Sequence, residues 1–238
     1  KYQQNFVRYL AMSGYCACVF LTEGSSNEID LKTYEELNQI GIREKHLHLL
    51  YQNFFNEMWG YFWVGDYVKV LELSKKYKPT GQKRSLEVTR TIIEGIASLN
   101  LARKTHHASL RKNGEDALQK MLKWEKISKW NFQHCTTLLQ AELHYLDGDI
   151  DSANATYKAT IASARAHKYA HYEALAYELY GNFCVENGMV EEGEFQHSMA
   201  LDKYKQWGAM RKVKELKPFL KTLYSPNPTS TQCAHVIK

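Results

Sequence analysis

Glycine-containing breaks recur at a nearly constant interval along the chain, and they constrain its fold more than any other feature. Gly24, Gly65, Gly148 and Gly188 each follow a long apolar-periodic segment, at spacings of 41, 83 and 40 residues. The middle spacing is about twice the others, so one break near residue 106 lacks its glycine. There the stretch "ARKTHHASLRKNGED" predicts a longer irregular linker. A fixed period of this length is typical of stacked helical repeats, so the sequence predicts five helical hairpins.

Each break separates two amphipathic segments. In the fourth unit, Leu139, Leu143 and Leu146 share one helix face before "DGD" interrupts the pattern. The composition agrees, because the chain has only 4 Pro and no long alternating run of Val, Ile and Thr. We therefore expect an all-α solenoid of about five hairpins with a C-terminal capping helix, forming one repeat domain over residues 1–224. Residues 225–238, "SPNPTSTQCAHVIK", are expected to form a flexible tail or linker.

The last two units resemble tetratricopeptide repeats. The positions that define that pattern, which are small or bulky residues and a turn, can be matched in both units. They are Ala141, Gly148–Asp149, Ala153, Tyr157 and Thr160 in the fourth unit, and Gly181, Gly188–Met189, Gly193, His197 and Ala200 in the fifth. His197 departs from the pattern, which normally has an aromatic residue there. Small residues at these positions let the two helices of one hairpin approach closely, so the resemblance supports the fold more than any partner.

Residues 131–216 also resemble the helical-repeat region of large multidomain signalling ATPases of the AAA/STAND type. The residues that carry this resemblance are Ala174, Tyr177, Glu178, Gly181, Tyr204, Trp207–Gly208–Ala209 and Lys212–Val213. In that family an ATPase domain precedes the repeats, and a histidine kinase or cyclase output domain follows them. Neither domain is present in this sequence. The resemblance implies a cytoplasmic, regulatory, non-catalytic scaffold that binds a protein, a peptide or neighbouring domains of its own chain.

The stretch "FFNEMWGYFWVGDY" is the densest aromatic cluster of the sequence. The candidate groove residues are Phe55, Trp59, Phe62 and Trp63, joined in later units by Glu142, Glu178 and Asn182. Two readings stay open for the aromatic residues, core packing between neighbouring hairpins and a groove for an aromatic ligand or peptide. Acidic and amide groups in such a groove would suit a peptide better than a nucleic acid.

Phosphate-binding and calcium-binding motifs are missing from the sequence. It contains no GxxxxGK[ST] and no GxGxxG pattern. "DGDIDS" begins like a calcium loop, but Ser152 and Lys158 replace the required Gly and bidentate Glu. We expect an interhelical turn instead, with Asp149 or Asp151 capping the next helix.

Histidine and cysteine residues are also poorly placed for a metal or a nucleophile. His167 and His171 are spaced as a metal pair on one helix, but no third ligand is evident nearby. The thiols of Cys16 and Cys18 should point to different sides of a helix, as should adjacent His134 and Cys135. The sequence therefore predicts no catalytic residues, no metal and no cofactor, and reduced thiols in a cytosolic protein. No apolar run reaches the length that a membrane-spanning helix needs, so no membrane association is expected.

Positive charge is concentrated at the C-terminal end. The net charge is +5, and residues 201–238 hold eight Lys or Arg against two Asp or Glu. Met210, Val213, Leu216, Leu220 and Leu223 share one face of a final helix, which Gly208 separates from the preceding one. Arg211, Lys212, Lys214 and Lys221 are expected to face solvent, and Pro218 to kink or restart the helix. The alternative to a protein-binding scaffold is nucleic-acid binding through this basic helix.

Overall fold

The computed structural model describes residues 2–22, 27–76 and 84–224, and within these ranges it contains eleven α-helices and no strand. The helices α1 to α11 run Tyr2–Thr22, Asn27–Arg43, Leu47–Trp63, Tyr67–Lys76, Arg84–Thr105, Ala108–Glu125, Lys129–Leu146, Ile150–Ala166, Ala170–Glu186, Val190–Trp207 and Met210–Leu223. The expected all-α class is confirmed. Successive helices pair as α1–α2, α3–α4, α5–α6, α7–α8 and α9–α10, and α11 follows as a final helix.

The chain divides into two compact units, residues 1–120 and 121–238, with the boundary inside α6. Unit 1 is residues 1–120 and unit 2 is residues 121–238. In unit 1, α3 packs against α1, α2 and α4, and α4 packs against α5. In unit 2, each of the helices α7 to α10 packs against the next one along the chain. A single repeat domain over residues 1–224 stays a prediction, and the tail 225–238 lies outside the described residues.

The turns inside the hairpins are built by residues with a left-handed backbone. Gly65, Gly148 and Gly188 have φ of +81°, +73° and +79°, a conformation that glycine adopts without a steric cost. The break without a glycine is filled by His106 at φ +56°, and α6 begins two residues later. The expected irregular linker near residue 106 is therefore wrong. Here a histidine adopts the backbone conformation that glycine adopts at the other turns, and the 41-residue period continues without interruption.

Close approach of the two helices in the fifth hairpin explains its small residues. A Cβ atom added to Gly181 would lie 2.5 Å from the His197 ring, and one added to Gly193 would lie 2.6 Å from the Val185 side chain. Neither distance is compatible with an ordinary van der Waals contact. The steric reason inferred from the repeat pattern is thus confirmed at both positions.

The final helix buries more of its polar residues than its sequence indicates. Gly208, at φ +89°, ends α10 as expected, and α11 then runs unbroken through Pro218. Arg211 and Lys212, expected to face solvent, are only 9% and 7% exposed. Lys212 can be buried because its ammonium lies 2.7 Å from the Glu178 carboxylate of α9. On the predicted apolar face of α11, four residues are buried and Met210 is exposed. The buried residues are Val213, Leu216, Leu220 and Leu223.

Candidate functional site

The four aromatic residues proposed for a groove lie on α3 in unit 1. Phe55, Phe62 and Trp63 are buried, and Trp59 is half-buried with its ring centroid 6.1 Å from that of Trp63 in an edge-to-face contact. Phe62 makes a similar contact with Trp63 at 5.3 Å. These rings belong to the packing of unit 1, and their use by a ligand stays a prediction.

Glu142 and Asn182 each join the two helices of one hairpin in unit 2. The Tyr157 hydroxyl of α8 donates to the buried Glu142 carboxylate of α7 at 2.5 Å. At the equivalent positions of the next hairpin, Asn182 Oδ1 lies 2.9 Å from His197 Nε2. Residue separations of 15 in both pairs show that the same clamp is built twice with different chemistry. His197, which departs from the repeat pattern, is bonded to the amide of Asn182, whereas Tyr157 at the equivalent position is bonded to the carboxylate of Glu142.

Glu178 ties three helices of unit 2 together. Its carboxylate accepts a hydrogen bond from the Tyr204 hydroxyl of α10 at 2.6 Å and forms the ion pair with Lys212 of α11. Because these bonds occupy the carboxylate from two sides, Glu178 acts as a structural link between α9, α10 and α11.

A cluster of aromatic and histidine rings gathers at one end of the unit 2 hairpins. Trp130 at the start of α7 packs on His167 at the end of α8, with ring centroids 4.5 Å apart. His134 stacks on Tyr169 at 4.1 Å, and His171 lies 5.5 Å from Trp207 at the end of α10. These contacts bring together the loops 126–128, 167–169 and 208–209. Sequence reasoning missed this cluster, although its rings recur at nearly the spacing of the repeat.

Lysine and arginine residues surround this ring cluster, and we call the whole surface the basic end. Its cationic residues are Lys123, Lys126, Lys129, Arg165, Lys168, Lys203, Lys205 and Lys214. The acidic residues in the same stretches are Glu125, Glu173, Asp202 and Glu215, and three of them form ion pairs. Glu173 is buried between Arg165 at 2.9 Å and Lys203 at 3.2 Å, and Asp202 pairs with Lys205 at 3.0 Å.

The opposite end of the same hairpins, around loops 147–149 and 187–189, is acidic. Its acidic residues are Asp147, Asp149, Asp151, Glu186, Glu191, Glu192 and Glu194, and residues 144–151 and 186–194 contain no Lys or Arg. Lys217 and Lys221 of α11 line a pocket there together with Glu194. Asp149 caps α8 as predicted, because its carboxylate accepts from the Ser152 backbone N–H at 3.1 Å. Hydrogen bonds from Ser152 also lower the pKa of the Asp149 carboxyl group.

Helix macrodipoles do not account for this separation of charge. The helices are antiparallel, so each end of unit 2 holds both N-termini and C-termini, and their partial charges oppose one another. Helix α7 has 18 residues and is about 27 Å long, several times the Debye length of about 8 Å at physiological salt. The basic end therefore presents its own local field to a binding partner.

Two histidines of the ring cluster, His134 and His171, are uncharged at neutral pH. His134 is 1% exposed, and neither ring nitrogen has a hydrogen-bond partner among the described residues. Burial lowers the pKa of His134 to about 3 and that of His171 to about 4. Burial also raises the pKa of the adjacent Cys135 thiol to about 12, so this thiol stays protonated at neutral pH.

His167 and His171, which are spaced as a metal pair in the sequence, do not share a helix. His167 follows the last residue of α8, and His171 lies on α9. Within the described part of the chain, no three His, Cys, Asp or Glu side chains are grouped to hold a metal ion.

No helix within residues 2–22, 27–76 and 84–224 has both the length and the apolar character needed to cross a bilayer. Comparison with protein-family models, curated proteins and solved structures finds no match to this chain.

Proposed function

We propose that the chain is a non-catalytic protein-interaction scaffold with a regulatory role in a larger cytoplasmic signalling ATPase. Its contact surface is the basic end of unit 2, and the partner that fits this surface is an acidic polypeptide segment with apolar side chains. The observation that carries the proposal is the pairing of exposed apolar anchors with a ring of lysines. Ile127 is 80% exposed and Trp130 is 56% exposed, and both lie within the basic end.

Trp130 has the properties of an interface anchor. Tryptophan is enriched among the residues that carry most of the binding energy in protein interfaces. The indole already packs on His167, so holding it in place on binding costs little side-chain entropy. Surrounding lysines would draw an acidic segment toward this anchor and fix its orientation.

The distribution of charge favours a polypeptide over a nucleic acid. In the basic C-terminal helix, Arg211 and Lys212 are buried, and their charged groups pair with Glu215 and Glu178. Asp202 at the basic end pairs with Lys205, which removes one cation from those available to a continuous phosphate backbone. Separate carboxylates along a peptide can be matched to separate lysines without meeting this acidic group.

The larger signalling context rests on the resemblance of residues 131–216 to the repeat region of AAA/STAND-type ATPases. In such a protein, the acidic segment could belong to a neighbouring domain or to another chain. The sequence of the complete gene tests this context. An upstream ATPase-like domain supports it, and its absence contradicts it.

Fluorescence anisotropy with three labelled probes tests the surface itself. The probes are a peptide of alternating Glu and Phe, a matched peptide of Lys and Phe, and a single-stranded oligonucleotide. We expect the Glu/Phe peptide to bind most tightly and to weaken as salt is raised. Tighter binding of the oligonucleotide would favour the nucleic-acid alternative. Equal affinities for the two peptides would show that the sign of the peptide charge does not determine binding.

Charge reversal locates the binding surface. The double variant Lys129→Glu, Lys168→Glu should weaken Glu/Phe binding by about tenfold or more, because both lysines are exposed at the basic end. The matched control Asp151→Lys alters the acidic end, which lies beyond the Debye length, and should leave the affinity within about twofold. Equal effects of the two changes would contradict the proposed surface.

A further inference from the structure

A half-enclosed cavity of about 440 Å³ lies in unit 1, and none of its lining residues belongs to the sites described above. Its walls are the ends of α4 and α6, and its floor is the middle of α5. The volume is within the range of small-molecule sites in proteins. All of its lining residues lie between Leu71 and Lys120, so the cavity belongs to unit 1 alone.

The cavity follows from how the three helices are built. Gly114 lets α6 approach α5 so closely that an added Cβ atom would lie 2.3 Å from the Leu99 side chain. Within the described residues α4 has 10 residues, and Leu71, Ser74 and Lys75 of this helix line the cavity beside α5. The polar residues of α5 beside Leu99 are therefore left facing a concave space.

The floor of the cavity holds a polar group that the described structure leaves unsatisfied. Ser98 is 0% exposed, and its hydroxyl has no hydrogen-bond partner among the described residues. Buried hydroxyl groups in proteins are nearly always hydrogen-bonded, because leaving one unpaired is costly. Ser98 is among the lining residues, so a small shift of the side chains over it would let a polar group of a bound molecule reach the hydroxyl and supply the missing partner.

The charged side chains of the floor are fixed in place. The Arg90 guanidinium donates to both carboxylate oxygens of Glu94, at 2.9 and 3.0 Å, and also to Glu87. The Ser74 hydroxyl of α4 donates to the same Glu94 carboxylate. This network provides a rigid surface with charges of both signs, and its side chains lose little freedom when a ligand binds.

One positive and one negative charge remain at the walls. Lys75 on α4 and Asp116 on α6 both line the cavity and are exposed to solvent. Neither makes an ion pair within the part of the chain that the structure describes. Lys120, the other cation of the wall, lies 3.7 Å from Glu87. A molecule in the cavity therefore meets one available ammonium and one available carboxylate.

We propose that this cavity binds a small zwitterion of the free amino acid class. The ligand carboxylate would pair with Lys75, its ammonium with Asp116, and one of its polar groups with the Ser98 hydroxyl. A singly charged molecule would leave one of the two wall charges unmatched, so the chemistry favours a ligand that carries both signs. Such a site would give the scaffold a small-molecule input that is separate from the basic end of unit 2.

Isothermal titration calorimetry of the full chain with each standard amino acid tests the proposal. We expect at least one of them to bind, and its deaminated acid and decarboxylated amine to bind at least about tenfold more weakly, because each lacks one charge. The proposal is overturned if no amino acid binds, or if either singly charged analogue binds as tightly as the parent compound.

Three variants and one control place the ligand in the cavity. Ser98→Ala should weaken binding roughly three- to tenfold without lowering the thermal midpoint, because no protein hydrogen bond is lost. Lys75→Gln and Asp116→Asn should each weaken the binding of the zwitterion. Each should have a smaller effect on the binding of the analogue that lacks the matching charge. The control Lys76→Gln removes the neighbouring ammonium on α4, which lies 5.9 Å from the Phe54 ring, and should leave binding unchanged. Unaltered affinity in Ser98→Ala together with Lys75→Gln would overturn the site.

Discussion

Replacing His134 by Phe should make the chain more resistant to acid. Burial lowers the pKa of His134 to about 3, whereas the unfolded chain takes up this proton near 6.5. Below pH 6.5 the unfolded state binds the extra proton, so the free energy of unfolding falls by about 1.4 kcal/mol per pH unit. At pH 5 this single histidine therefore costs about 2 kcal/mol of stability, a large share of the total for a compact domain.

The variant His134→Phe keeps a ring between Tyr169 and Tyr172 but removes the titration. At pH 7.5 we expect a gain of about 1 kcal/mol, because the two unpaired ring nitrogens are no longer buried. At pH 5 the advantage over the parent chain should grow by about 2 kcal/mol. Urea unfolding followed by far-ultraviolet circular dichroism at the two pH values measures both quantities.

His197→Phe provides the matched contrast, because His197 is buried with its pKa lowered to about 4 but its nitrogens are bonded. Losing the contacts with Asn182 and Tyr224 should cost about 2 kcal/mol at pH 7.5, while acid sensitivity falls as in His134→Phe. Parallel curves of stability against pH for the parent chain and His134→Phe would refute the reasoning, since they would show that the native imidazole takes up its proton normally.

Two further pairs of substitutions test packing and buried charge through urea unfolding. Gly181→Ala should destabilise by about 1–3 kcal/mol because its Cβ overlaps the His197 ring, whereas Gly14→Ala, with nothing within 4 Å, should stabilise by about 0.5–1 kcal/mol. Stabilisation by both changes would contradict the close helix approach in the fifth hairpin. Lys212→Met should cost about 3 kcal/mol, because it leaves the carboxylate 2.7 Å away without its partner, whereas Lys221→Met on the exposed face should change stability by less than about 0.5 kcal/mol. Similar small effects of the two lysine changes would place Lys212 in solvent instead.

The helical hairpins could be predicted from sequence because two local requirements repeat along the chain. A left-handed residue must end the first helix, and small residues must stand where the helices meet. Gly148 and Gly188 satisfy the first requirement, and Gly181 and Gly193 satisfy the second. The turn at His106 was missed because a residue other than glycine pays a modest steric cost there, which composition does not reveal.

The polar contacts of unit 2 could not be predicted in the same way, because they join residues far apart in sequence. Lys212 looks like a solvent-facing residue in its own helix, and its burial depends on Glu178, one hairpin earlier. The basic end likewise combines short stretches around residues 126–129, 165–168 and 203–205, none of which is strongly basic alone. Charge summed along the sequence pointed to the C-terminal helix, whereas the hairpin topology concentrates accessible charge at one end of several helices.

In unit 2, the residues that hold the hairpins together are therefore distinct from those of the proposed binding surface. Polar residues in the middle of the helices form clamps such as Glu142–Tyr157 and Asn182–His197, which hold the two helices of one hairpin together. The loops between hairpins lie outside these clamps, and the left-handed residues Lys168 and Gly208 stand 40 residues apart in two loops at the same end. Each additional hairpin adds one more loop to the basic end without altering the clamps that hold the stack. Substitutions in these loops can then change the partner at little cost to the fold, which is the property expected of a repeat that serves recognition.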